Sequence, residues 1–211
     1  MTLYVPPHFR VDDADELYRF IEQHAFATLV STGAAGLHVS HIPLLAERGD
    51  DGKLRLLGHV ARGNAQWEAL EAAAQVLAIF HGPHAYVSPG WYQAHPSVPT
   101  WNYAVVHAHG VPRVMDDAAW LLKHVTAMTH TQESRHQSVE WKVSDAPADF
   151  IDSMLKMIVG IEIPMATLVG KWKMSQNRAM PDRLGTIAGL KERGDSNSEE
   201  VAAIVEGYAK R

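Results

Sequence analysis

The alternation of apolar and polar residues divides most of the chain into short strands. Strand-like patterns cover residues 26–32, 37–46, 54–60, 76–81, 85–88, 100–115, 158–163 and 167–174, with turns predicted at 33–36, 49–52 and 82–84. Leu17, Phe20 and Ile21 recur at helical spacing behind Asp12 and Asp13, which predicts an N-terminal helix. Further helices are predicted at 65–74, 118–130, 148–157 and from Ser196 onward, after a flexible connector at 194–198.

The first three predicted strands follow one another with short connections, which is typical of an antiparallel meander. Seven or eight strands with peripheral helices predict a mainly β (α+β) fold, specifically a closed or split antiparallel β-barrel. We expect a single domain over residues 1–211, with a C-terminal helical extension from about residue 176. No run of about 18 apolar residues is present, so no membrane-spanning helix is expected.

Composition narrows the possible chemistry. The chain has no cysteine, which excludes disulfides, thiolate metal sites and cysteine nucleophiles and fits a reducing cytoplasm. The N-terminal residues lack the pattern of a signal peptide, so we expect a cytoplasmic protein. A net charge of −5 argues against a strongly basic nucleic-acid-binding protein.

Histidine is unusually frequent, with 13 residues, several of them in close pairs. His107 and His109 would face the same side of a strand and could chelate a metal. No His-Glu-x-x-His motif accompanies them, so surface or strand histidines are the favoured interpretation and no metal site is predicted. No nucleophile-elbow spacing indicates a Ser-His-Asp triad.

The densest polar group is His59-Val-Ala-Arg-Gly-Asn64, between a predicted strand and a predicted helix start. Backbone N–H groups of the helix start, the planar Arg62 guanidinium and the small Gly63 would together suit a phosphate, with Asn64 as N-cap. The alternative is that Asn64 merely caps the helix while Arg62 lies in solvent.

A second segment, Ser40-His-Ile-Pro-Leu-Leu45, has a proline in the middle of a predicted strand. Because proline removes a ladder donor, we expect this strand at a sheet edge or beside a bound group. The freed backbone groups could then bond the polar rim of a flat heterocycle. A simple edge strand is the alternative.

Two further segments could contribute to a binding site. In Val98-Pro-Thr-Trp-Asn-Tyr103, Trp101 could stack on a planar ring and Asn102 could hydrogen-bond, although core or dimer-interface packing also explains the aromatic residues. Residues 162–191 carry five basic and two acidic side chains in an otherwise acidic chain. This excess of positive charge favours an anion, with a solvated basic face as the alternative.

Six ordered blocks span nearly the whole sequence. They are Tyr4-Val-Pro-Pro-His-Phe9, His41-Ile-Pro-Leu-Leu45, Gly58-His-Val-Ala-Arg-Gly-Asn64, Tyr86-Val-Ser-Pro-Gly-Trp-Tyr92, Val98-Pro-Thr-Trp-Asn-Tyr103 and Gly170-Lys-Trp-Lys-Met-Ser-Gln-Asn177. Together these blocks resemble the PaiB-type proteins, a family described as FMN-binding negative transcriptional regulators. The family usually has proline after the asparagine of the third block, where this chain has Ala65.

The resemblance implies a split barrel similar to pyridoxamine-phosphate oxidases and small flavin reductases, forming a homodimer with FMN at the subunit interface. It assigns the flavin role to His41, Ile42 and Pro43. It assigns the phosphate role to Gly58, His59, Ala61, Arg62 and Asn64. The residues that would close the site, from the partner subunit, are Trp101, Asn102, Lys171, Lys173, Ser175 and Gln176.

The resemblance further implies a transcriptional regulator. No helix-turn-helix with a basic recognition face is evident, and the net charge does not support direct binding of DNA, so regulation would act through flavin or a metabolite. One alternative is an FMN-dependent oxidoreductase, of the flavin reductase or pyridoxamine-phosphate oxidase kind, acting on a small planar substrate near Trp91, Tyr92 and Trp101. The other is an FMN storage or ligand-binding module without turnover. No catalytic residue is assigned.

Overall fold

The structure is a computed structural model that describes residues 3–34, 36–49 and 52–210. The strands in this part of the chain are Arg10–Val11 (β1), Phe26–Gly33 (β2), Gly36–Pro43 (β3), Leu45–Arg48 (β4), Leu54–Ala61 (β5), Val76–Val87 (β6), Thr100–Gly110 (β7), Arg113–Met115 (β8) and Ile158–Lys173 (β9). The helices are Ala14–Gln23 (α1), Gln66–Glu71 (α2), Ala118–His136 (α3), Ala148–Leu155 (α4), Met180–Arg193 (α5) and Ser196–Ala209 (α6).

The sheet runs in the order β3-β2-β6-β7-β9-β5-β4, with β1 and β8 each paired to β9. The registers of β2 with β3, β4 with β5 and β5 with β9 are antiparallel. β3 lies at one end of the order, which confirms the edge position predicted from Pro43. The predicted fold class, β strands in an antiparallel sheet with helices, is confirmed. No helix in the described part of the chain is long and apolar enough to cross a membrane.

The chain divides into two compact units. The first unit contains the described residues of Met1–His24, Phe80–His107 and Leu168–Arg211. The second unit contains those of Ala25–Ile79 and Ala108–Thr167. Fully buried side chains of the first unit include Ile21, Phe80, Met174 and Leu190. Those of the second unit include Leu29, Leu56, Ile161 and Ile163.

Two predicted interruptions between strands are wrong, because the residues concerned lie inside the continuous strands β6 and β9. The predicted turn at 82–84 is part of β6. A Cβ at Gly82 would lie 2.5 Å from Phe20 Cζ, so glycine here makes room for an aromatic ring instead of a turn. The predicted strands 158–163 and 167–174 are both part of β9, and Pro164 is the last residue of β9 in register with β5.

Other element boundaries also differ from the prediction. The predicted strand 37–46 divides at Leu44 into β3 and β4, which pair with β2 and β5 respectively. The predicted strand 100–115 divides into β7 and β8 around Pro112, which lacks a ladder donor. α3 extends to His136, and α4 ends at Leu155. The predicted turns at 33–36 and 49–52 include residues 35, 50 and 51, which lie outside the described residues.

The C-terminal extension consists of two helices, of which the sequence pattern predicts only α6. The predicted connector at 194–198 is wrong. α5 ends at Gly194, which has the left-handed φ of 71° typical of a helix C-terminus. Asp195 then caps α6 by accepting a hydrogen bond from the Ser198 backbone N–H at 3.0 Å.

Candidate functional site

The end of β3 lies against β5 in the second unit. Gly58 of β5 has no side chain, and a Cβ there would lie 2.6 Å from Leu44 Cδ2, 3.3 Å from Pro43 O and 3.6 Å from Ile42 Cδ1. The glycine therefore permits a close approach of two segments that are far apart in sequence. Asn64 adds a second link, since its Nδ2 donates to Ser40 Oγ at 2.8 Å.

The start of α2 differs from the predicted N-cap. α2 begins at Gln66, and Asn64 Oδ1 accepts a hydrogen bond from the Gln66 backbone N–H at 3.0 Å. Ala65 has a φ of −59°, which proline also adopts, so alanine replaces the family proline without a change of backbone. Because α2 has only six residues, its end is no phosphate site by itself, and binding here depends on side chains and loop N–H groups.

Gln66 holds this junction together and was not among the predicted site residues. Its side chain is 1% exposed. Its Nε2 lies 3.1 Å from Leu29 O, 3.1 Å from Ser31 Oγ and 3.2 Å from His38 O. The amide thus ties α2 to both β2 and β3. The signal in the sequence was a polar residue four positions before Leu70 on the apolar face of the helix.

Arg62 forms a bidentate ion pair with Asp116 and does not lie free in solvent. Its Nε donates to Lys156 O at 2.8 Å, and its Nη2 donates to Ile158 O at 3.0 Å. The carboxylate holds the pKa of Arg62 above its usual value, and the guanidinium holds the pKa of Asp116 below its own. Most of the guanidinium donors are therefore already used within the chain.

His59 is half-buried and contacts the buried imidazole of His124. Its Nδ1 lies 3.1 Å from His124 Nε2, and the His124 ring stacks on Trp120. Burial, together with the neighbouring His59, lowers the pKa of His124 to about 4, and burial lowers the pKa of His59. Both rings are accordingly neutral at pH 7, and one donates to the other. His41 is different: it is exposed, and its Nδ1 lies 3.1 Å from Thr28 Oγ1.

The remaining predicted residues come together in the first unit. Asn102 and Ser175 are both buried, and Asn102 Nδ2 donates to Ser175 Oγ at 3.0 Å. Ser175 has a φ of 61° where the chain leaves β9. Gln176 fixes this bend, because its side chain accepts from the Met174 N–H and donates to Trp172 O, each at 2.7 Å.

Three cations converge beside this bend. Lys171 Nζ donates to Tyr4 O and lies 5.3 Å from the centre of the Tyr103 ring. Lys173 donates to Thr100 Oγ1, and burial with the nearby Lys171 and Arg178 charges lowers its pKa. The predicted basic patch is therefore smaller than 162–191. Lys191 pairs with Glu206, Arg183 donates to backbone carbonyls, and Glu162 lies in the second unit.

Trp101 is 53% exposed, with its ring edge-on to Tyr86 at a centroid distance of 6.0 Å. It therefore offers an accessible aromatic face near the start of β7. Within residues 3–34, 36–49 and 52–210, no three His, Asp or Glu side chains are grouped as metal ligands.

Comparison with solved structures defines the class as a split barrel. The chain resembles the flavocytochrome Anf3 from Azotobacter vinelandii, with a TM-score of 0.57 and 13% identity, covering 80% of this chain and 72% of that chain. It also resembles the FAD and heme binding protein from Mycobacterium smegmatis, with a TM-score of 0.52 and 13% identity, covering 78% and 73%. These likenesses confirm the predicted fold.

Residues 3–167 match the family model described as "Putative FMN-binding domain". The chain is 35% identical over 211 residues to protease synthase and sporulation protein PAI 2 of Bacillus subtilis (strain 168), covering 99% of each protein. The chain belongs to this FMN-binding family. The predicted resemblance to PaiB-type proteins is confirmed, and so is the assignment of FMN as the cofactor.

Proposed function

We propose that FMN binds at the junction of β3, β5 and α2 in the second unit. The supporting observation is the close approach at Gly58, which brings Ile42 and Pro43 beside β5, the strand that leads to Arg62 and Asn64. His41, Ile42 and Pro43 would follow the flavin rim, while Gly58, His59, Ala61, Arg62 and Asn64 would hold the phosphate end. FMN supplies the redox chemistry when it is bound, and the protein orients it and controls access of water.

We further propose a homodimer whose interface contains the flavin. Phe26, Leu37 and Val39 on the outer face of β2 and β3 are 67%, 72% and 54% exposed. In the antiparallel register, Val39 lies opposite Val30 and His41 opposite Thr28, so these side chains share one face. An apolar edge of this kind is typical of an interaction surface. The interface and the flavin site would then coincide at His41.

In this dimer, the six predicted closing residues would come from the partner subunit and complete the flavin site. The converging charges of Lys171, Lys173 and Arg178 support the proposal. Burial and the two neighbouring charges lower the Lys173 pKa, and a bound phosphate would offset the charge repulsion. Asn102 and Ser175 would orient the ligand, and Gln176 would fix the bend that carries Ser175. Trp101 would stack on a planar ring.

The role that fits these features best is that of a cytoplasmic PaiB-type transcriptional regulator, folded as one domain over 1–211, that responds to flavin. Since the net charge is −5, regulation would pass through the bound cofactor rather than through a basic DNA-binding face. Steady turnover of NAD(P)H with FMN would instead indicate the oxidoreductase, and tight FMN binding with neither turnover nor regulation would indicate the storage module.

The proposal predicts that the protein, mixed with FMN and freed of excess, retains one flavin per chain and sediments as a dimer. Val39→Glu should give a monomer that has lost most of its flavin, because the charge lies in the apolar face. Absorbance spectra and analytical ultracentrifugation measure both properties. Val111→Glu, at a similarly exposed valine outside this face, should behave as the wild type. A dimeric, flavin-loaded Val39→Glu would contradict the proposed interface.

A second prediction separates a phosphate contact of Arg62 from a purely structural role. If Arg62 reaches the phosphate, Arg62→Ala weakens FMN binding by about tenfold. Asp116→Asn should then preserve or tighten FMN binding, since it frees the guanidinium that Asp116 now holds. Fluorescence titration of FMN measures both affinities. Equal weakening in the two variants would show that Arg62 acts only through its ion pair, and would overturn the contact.

A further inference from the structure

A cavity of about 570 Å³ lies in the second unit between α3, residues 140–146 and α4. None of the residues proposed for FMN lines it. Its volume is within the range of cavities that bind small molecules. Most of its wall is apolar, and the side chains that form this wall are Leu122, Trp141, Val143, Ala146, Ala148 and Ile151.

The apolar wall has a buried part and an exposed part. Val143 is 7% exposed, so the cavity closes against the body of the unit. Leu122 and Trp141 are 42% and 48% exposed and lie where a ligand could still reach them. The backbone of Trp141 is fixed, because its N–H donates to Glu133 Oε2 at 3.1 Å. The half-exposed indole of Trp141 can contact an apolar or cationic group.

The charges around the cavity favour a cation. Residues 133–152 carry five acidic and two basic side chains. Among the lining residues, the Glu140 carboxylate lies 3.0 Å from His130 Nδ1, whereas the Asp152 carboxylate forms no hydrogen bond or ion pair with the described residues. Lys142 is the one lysine or arginine among the residues that line the cavity in the described chain. A cavity whose lining includes an unpaired carboxylate, an indole and aliphatic side chains is complementary to an ammonium group on an apolar body.

We propose that this cavity binds an amphiphilic organic ammonium ion, with its aryl or branched alkyl body against Leu122, Val143 and Ile151. The ammonium group lies near the Asp152 carboxylate and the Trp141 ring. No residue proposed for FMN lines this cavity, so the proposal stands whether or not FMN binds at β3 and β5. Its occupant is a small metabolite of the amine class.

The test compares three probes on the full-length, FMN-treated protein by isothermal titration calorimetry at neutral pH. Phenethylammonium should bind with one site per chain and about tenfold more tightly than the isosteric neutral phenethyl alcohol, because only the cation gains the carboxylate and the indole. The anion phenylacetate should bind more weakly than either. Equal affinity for the three probes, or no binding of phenethylammonium, would overturn the proposal.

Variants then locate the site. Thr126→Phe places a ring in the cavity from an exposed position on α3, so it should abolish binding without loss of folding, checked by circular dichroism. Asp152→Asn should weaken phenethylammonium about threefold and leave phenethyl alcohol unchanged. The matched control is Asp149→Asn, an exposed carboxylate on the same helix that does not line the cavity. Unchanged binding in Thr126→Phe, or equal effects of Asp149→Asn and Asp152→Asn, would contradict the assignment.

Discussion

Gly185→Ala is expected to destabilise the protein by about 3 kcal/mol, because the new Cβ would overlap the backbone carbonyl oxygen of Trp91. Backbone cannot move aside as the end of a flexible side chain can, so α5 would have to shift away from the segment Pro89–Trp91. Gly189, one turn later, is equally constrained by the Trp91 indole. Urea unfolding followed by circular dichroism measures the loss.

The chain provides a matched control for this substitution. Gly207 also lies in a C-terminal helix, α6, but a Cβ there meets nothing within 4 Å. Because alanine is the better helix former, Gly207→Ala should raise the free energy of unfolding by about 0.5–1 kcal/mol. Changes of the same sign in both variants would show that the contact with Trp91 does not govern the effect.

The contact at Gly185 matters because α5 orders the aromatic loop that follows β6. Asp182 Oδ1 accepts hydrogen bonds from the Gln93 and Ala94 backbone N–H groups at 2.9 and 3.1 Å. The Arg193 guanidinium lies 5.1 Å above the Trp91 ring. Loosening α5 should therefore expose Trp91 as well as destabilise the fold, and acrylamide quenching of tryptophan fluorescence should increase in Gly185→Ala.

Gln66→Leu is expected to cost about 3 kcal/mol of stability and to weaken FMN binding. Leucine fills a similar volume, but it cannot donate a hydrogen bond. Three acceptors around this buried position would then lose the Gln66 amide donor, namely Leu29 O, Ser31 Oγ and His38 O. Without that link, α2 and the end of β3 lose their common anchor beside the proposed flavin site. Urea unfolding and FMN fluorescence titration measure the two effects.

The control for Gln66→Leu is Glu71→Ala on the same helix, where the replaced side chain is exposed. Surface substitutions of this kind change stability by less than about 0.5 kcal/mol. FMN binding should also be unaffected in Glu71→Ala. If Gln66→Leu lost stability yet kept its full FMN affinity, the amide would be only a core anchor, and the proposed flavin site would not depend on the position of α2.

The sequence indicated candidate site segments but not the contacts within them. The family resemblance assigned the Ile42-Pro43 segment and Gly58 to one flavin site, which stays a prediction, and the structure places these residues side by side. The sequence predicted a longer helix behind Asn64. Because α2 has only six residues, its start contributes less to phosphate binding than expected. Arg62, expected to be either a phosphate ligand or a solvated residue, forms an ion pair with Asp116 that the sequence did not predict.

By itself, the sequence determined the antiparallel class of the fold, the edge position of β3, the N-terminal helix behind Asp12 and Asp13, and the family. These features depend on local patterns, namely the alternation of apolar and polar residues, a proline, helical spacing and an ordered set of motifs. Tertiary structure alone decided the partners of Arg62, His59 and Asn102. Those pairs are separated by 54, 65 and 73 residues. Local sequence patterns do not predict contacts between residues so far apart, because strand register and side-chain packing determine which distant groups meet.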